Sequence, residues 1–186
     1  ATLPSFNPNH PVFFNDKDQL GFAPEGMSPI SRQMNSITNR FYELGSTFKP
    51  LTMAAALDAG VVRDLSVRYD ATAPLEVAGF PIRDLHSSGR WLNVPEALVH
   101  SSNIVTARVA DKLGEARLVA MMSALHFNER PVVDLAERAQ PRWPAKWGRL
   151  RTMTAAYGHG IAVTPLHLAS AYAALVNGGV WHPATM

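Results

Sequence analysis

From residue 46 onward, apolar side chains recur at helical spacing in stretches separated by glycine and proline. Ser46 to Ala59 carries Leu51, Met53, Leu57 and a set of alanines, and Gly60 supplies a stop, so a helix is expected there. Pro50 falls near its first turn, where a missing backbone donor costs least. Residues 61–92 alternate short apolar runs with turns at Ala78-Gly79 and Ser88-Gly89, which predicts a small hairpin. Asn93-Val94-Pro95-Glu96 reads as a cap, a first-turn proline and an acidic residue, opening a short helix that reaches about His100. A second helix is expected from Asn103 to Gly114, and a third from Glu115 to about His126. Thr164-Pro165 opens a last one, which Asn177-Gly178-Gly179 ends.

Elsewhere the periodicity fails. Pro4, Pro8, Pro11, Pro24 and Pro29 break up the first forty residues, leaving a strand end, loops and a short helix near Ser31 to Arg40. Pro131 to Gly148 is irregular, with Trp143 and Trp147. Arg142, Lys146, Arg149 and Arg151 cluster beside it. Such a cluster is most often a solvated face; the sharper reading is a docking surface for an anionic glycan or lipid.

Composition narrows the function. The 186 residues are 47% hydrophobic and 17% charged, as one globular domain or part of one would be. A formal charge of +2 is too small to argue for nucleic acid. Without cysteine there is no disulfide, thiolate ligand or thiol nucleophile, and the seven histidines show no metal-ligand spacing. No metal or cofactor is expected. No run of eighteen apolar residues occurs, and the first residues lack a basic-then-apolar leader.

Two short patterns can carry chemistry. In Ser46-Thr47-Phe48-Lys49, positions three apart on a helix share a face, so the lysine amine can reach the serine hydroxyl. A serine needs such a base near neutral pH, and a lysine serves once burial lowers its pKa. A bare SxxK, however, arises by chance roughly once in a chain of this size, with the serine as a mere cap. Ser101-Ser102-Asn103 lies between two expected helices, where Ser101 could relay a proton and the Asn103 amide could hold a peptide group. Its bland alternative is capping of the following helix.

Together the patterns mean more. Phe41-Tyr42-Glu43-Leu44-Gly45-Ser46-Thr47-Phe48-Lys49-Pro50 resembles the active-site segment of class B penicillin-binding proteins, and the SxN triplet follows 55 positions later. Pro4 to Asn9, Tyr157-Gly158-His159-Gly160 and Val163-Thr164-Pro165-Leu166 are similar to further landmarks of that family, in the same order. Leu44 departs from the proline common at that place. The family's Lys-Thr-Gly or Lys-Ser-Gly motif does not occur in these residues.

The resemblance implies an α+β penicillin-binding/serine β-lactamase-like transpeptidase fold. Residues 1–186 would be a partial transpeptidase domain, truncated before the Lys-Thr-Gly motif. It would hold the mostly helical portion and lack much of the antiparallel sheet. It further implies Ser46, Lys49 and Ser101 as catalytic residues and Asn103 as substrate-binding. The implied partners are peptidoglycan stem peptides, lipid II-derived glycan strands and β-lactams. Flanking similarity to the septal type implies a division-complex membrane glycosyltransferase as partner and a place on the periplasmic face of the inner membrane. A non-enzymatic β-lactam sensor and a divisome scaffold are the alternatives.

Overall fold

The helices begin where the sequence supplies caps. In the computed structural model, which describes residues 37–136 and 138–185, Asn93 and Glu96 close a reciprocal capping box at the start of α2 (Val94–Val99). Thr164 and His167 do the same for α6 (Pro165–Val176). Ser102 caps α3 (Asn103–Leu113) by accepting from the Val105 N–H. Gly114, at φ +83°, lets the chain turn at once into α4 (Glu115–Ala124).

The helix expected from Ser46 starts later than the sequence suggests. Gly45–Phe48 form a 3-10 turn, and α1 runs over Lys49–Asp58. Pro50, in the first α-helical turn, has no N–H to give, and the Lys49 N–H instead closes a short i→i−3 bond onto Ser46 O. The third expected helix stops at Ala124 rather than His126, which takes a left-handed φ of +61°. One helix was not legible at all: α5, Arg149–Ala155, has no side-chain cap and is too short to establish a period. The strand end and loops expected in the first forty residues, the family-like stretch Pro4 to Asn9, and most of the helix expected over Ser31 to Arg40 lie outside the described residues; a turn occupies 37–38.

Among the described residues there are three antiparallel ladders, two of which tie distant segments together. β1 (Tyr42–Glu43) pairs with β6 (Ala162–Val163), placing Tyr42 opposite Val163. β2 (Tyr69–Asp70) pairs with β5 (Trp91–Leu92). The expected hairpin is β3 (Leu75–Val77) and β4 (Phe80–Ile82). Its turn residues Ala78 and Gly79 both take positive φ, 51° and 80°, as a tight hairpin demands.

α3 is the central post. Ala110 and Leu113 join Phe48, Leu51, Leu118, Met122 and Phe127 in one apolar cluster. Ile104, Val105 and Val109 join Met53, Tyr69 and Leu92 in a second. Ala107 packs with Val77, Ile82, Met153 and Tyr157 in a third. No helix among the described residues is long and apolar enough to cross a membrane.

The basic cluster is largely engaged. Arg149 forms a bidentate pair with Asp111 at 2.7 Å, Arg151 donates to the Lys146 carbonyl, and Arg142 stacks over the Phe41 ring. Trp143 and Trp147 meet edge to face and pack on the first apolar cluster. The segment is therefore pinned to the body.

Candidate active site

Three side chains from two distant segments meet in a triangle. Lys49 Nζ lies 3.1 Å from Ser46 Oγ and 2.9 Å from Ser101 Oγ, and the two hydroxyl oxygens are 2.9 Å apart. Lys49 Nζ also donates to the Ser101 carbonyl at 2.5 Å. An ammonium has three hydrogens, and here it finds three acceptors. Ser46 is exposed on the 3-10 turn, whereas Lys49 is 1% exposed within the first turn of α1.

Burial sets the chemistry of that lysine. Loss of hydration lowers its pKa from 10.5 to about 8, with the Asp84 carboxylate pulling the other way. At pKa 8 a useful fraction of the amine is neutral near pH 7. The neutral amine keeps two hydrogens for Ser101 and turns its lone pair toward the Ser46 hydroxyl. Ser46 can then give its proton to Lys49, while Ser101 Oγ, bonded to both, can pass one outward.

The turn bearing Ser46 is held from behind. Gly45, at φ +53°, donates its N–H to Gly158 O at 3.1 Å. Gly158 lies so close that a Cβ there would meet Gly45 O at 2.2 Å. Glu43 accepts from the Gly160 N–H at 3.1 Å and contacts His159 at 3.2 Å. Tyr172 donates to Thr47 O, and Phe48 is fully buried in the first apolar cluster.

The second segment is braced equally well. Ser101 adopts φ +54°, a left-handed conformation costing a non-glycine residue about 1–3 kcal/mol. Ser102 donates to Asp84 Oδ2 at 2.8 Å and Ile104 N–H to Asp84 Oδ1 at 2.9 Å. Asn103 Nδ2 donates to Arg83 O at 2.9 Å. Asn103 thus spends one donor on the fold, and its second N–H and its amide oxygen are the donor and acceptor with which it could hold a peptide group.

Of the four residues singled out in the sequence, Ser46, Lys49 and Ser101 are in mutual contact, and Asn103 lies two positions beyond Ser101 at the start of α3, its side chain on Arg83 O. Sequence reasoning missed Arg83, Asp84, Glu43 and Gly158. The first two follow a hairpin strand, and no spacing rule links them to residues 101–104. Gly158 stood within a family-like string, but only packing shows what its missing side chain is for.

A two-serine, one-lysine triangle between a helix start and an interhelical loop has the groups that acyl transfer through a serine requires. The chain belongs to the penicillin-binding protein transpeptidase domain family, whose model matches residues 1–186. It is 38% identical over 161 residues to a Caulobacter vibrioides protein named "Probable peptidoglycan D,D-transpeptidase FtsI", covering 87% of this chain and 27% of that protein. With the Escherichia coli K12 peptidoglycan D,D-transpeptidase FtsI it shares 31% identity over 185 residues, covering 98% of this chain and 29% of the relative. The chain therefore spans less than a third of the length of these curated relatives. The fold matches the apo transpeptidase domain of Burkholderia pseudomallei penicillin-binding protein 3 with a TM-score of 0.76 at 28% identity, over 81% of this chain and 46% of that one.

Proposed function

We propose that this chain supplies the nucleophile, base and proton relay of a peptidoglycan D,D-transpeptidase acting in septal wall synthesis. The Lys49–Ser46–Ser101 triangle carries the reading. Ser46 Oγ attacks the carbonyl between the two terminal D-alanines of a stem peptide and gives its proton to Lys49. The Ser46 N–H is one donor to the developing oxyanion. The C–N bond then breaks. Ser101 protonates the departing D-alanine amine and is reprotonated from Lys49. The amine of a neighbouring stem peptide attacks the acyl-enzyme, its proton returns to Ser46, and a cross-link remains. Asn103 orients the donor peptide. A β-lactam presents the same carbonyl to Ser46 and stays attached.

The relatives' names support the substrate class, and the similarity of Phe41 to Lys49 to the septal type supports the pathway. With that pathway go glycan strands derived from lipid II, a membrane glycosyltransferase of the division complex as partner, and action at the periplasmic face of the inner membrane. The test is labelled penicillin on the full-length gene product, read by intact mass and peptide mapping. One adduct on Ser46, lost in Ser46→Ala, is the expected result. An adduct elsewhere, or one surviving the substitution, overturns the assignment. Acylation without cross-linking of stem peptides would mark a β-lactam sensor instead.

A further inference from the structure

The Ser101–Asn103 loop is bent into a costly shape; locally it is braced by the Ser102 cap onto Val105 and by the Ser101 and Ser102 N–H groups on Leu98 O and Ala97 O. A further brace arrives from elsewhere in the chain. Arg83 and Asp84 follow directly on β4 and grip three consecutive residues at the start of α3: Ser102 Oγ and Ile104 N–H through the Asp84 carboxylate, and Asn103 Nδ2 through the Arg83 carbonyl. The hairpin end is itself fixed, since Ile82 and Val77 are buried against Ala107 of α3. A rigid lever therefore runs from the hairpin to the loop.

We propose that Asp84 is a positioning residue for acyl transfer: its carboxylate clamps Ser102 and Ile104 and thereby sets Ser101 Oγ against Lys49 and Ser46. This rests on the acyl-transfer reading above. A neutral hydrogen-bonding side chain could supply part of the clamp, so the charge has a second use. Lys49 is deprived of hydration, and Asp84 is the carboxylate that acts on it. Of the charges on elements packed around α1, Glu96 pairs with Arg68 and Arg90, Asp111 with Arg149 and Arg108 with Asp70, Lys112 lies over the Tyr69 ring, and Glu115 and Arg117 are exposed on α4. Ser46 and Ser101 are the hydroxyls facing the amine. Asp84 thus keeps the lysine protonated to higher pH than burial alone would, so that the ammonium that reprotonates Ser101 persists.

The experiment measures the penicillin acylation rate of Ser46 against pH for the full-length protein, Asp84→Ala, Asp84→Asn and the control Asp111→Asn. Asp84→Ala removes clamp and charge and should lower the plateau rate at least tenfold. Asp84→Asn keeps an oxygen for Ile104 and should hold the plateau within a few-fold. Its acid limb should move to lower pH, so that at pH 6.5 it runs about three- to tenfold closer to its own plateau than wild type does. Asp111→Asn makes the same charge change on α3 and should leave the limb in place. If Asp84→Ala fails to fold, Asp84→Asn decides alone. A wild-type plateau in folded Asp84→Ala, a wild-type limb in Asp84→Asn, or a limb moved equally by Asp111→Asn overturns the proposal. Failure of the wild type to acylate Ser46 overturns the transpeptidase reading itself, and this proposal with it.

Discussion

Lys49 is at once a buried amine and the proposed base, and both properties are measurable. Acylation requires its neutral form, so the rate should rise with pH through about 8 and then level off. Its folded pKa lies below the ordinary 10.5, so the folded state releases this proton first as pH rises. The burial cost is then fully present below pH 8 and is relieved between 8 and 10.5, where this group alone makes the protein more stable. Denaturant titrations across that window check the sign. Lys49→Met keeps the stem but no base, and should lose about two to four orders of magnitude in acylation while still folding. Near-normal acylation of the folded variant would remove Lys49 from the mechanism. The reach of Lys49 to Ser46 was legible from a three-residue spacing. Its nearness to Ser101 was not, because a separation of 52 residues is closed only by α1 packing on α3.

Among the elements, the turn after α5 shows what local sequence withholds. Gly158 takes φ +84°, and its α-carbon faces the Gly45 backbone with no room for a methyl group. Gly158→Ala should force the nucleophile's turn away from the body, costing about 1–3 kcal/mol or more in stability. Acylation should fall with it, by a larger factor than the melting shift explains, since a displacement of the nucleophile near 1 Å is costly to rate. A thermal melt beside a labelling time course separates the two; wild-type values in both would show that the contact is slack. The capped helices α2, α3 and α6 were legible because their start signals are side chains that bond their own backbone. α5 escaped notice because it is fixed from outside, by Arg149 on Asp111 and by Met153 and Ala155 in the core.

For the whole molecule, the septal assignment predicts that depleting the parent protein gives filaments; rounded cells that still divide would place it in side-wall growth instead. The α+β class could be read from the order of motifs, but the arrangement of the three apolar clusters around α3 could not, since each draws residues from widely separated segments. That arrangement bears on how the protein opens. No cluster can come apart without exposing a face of α3, so the amide hydrogens of α3 should exchange with solvent only through global unfolding. The loop bearing Ser101 enters this same slow-exchanging segment at its first residue. Heating should therefore abolish penicillin labelling and near-ultraviolet ellipticity at one common temperature, with no inactive yet folded state between them.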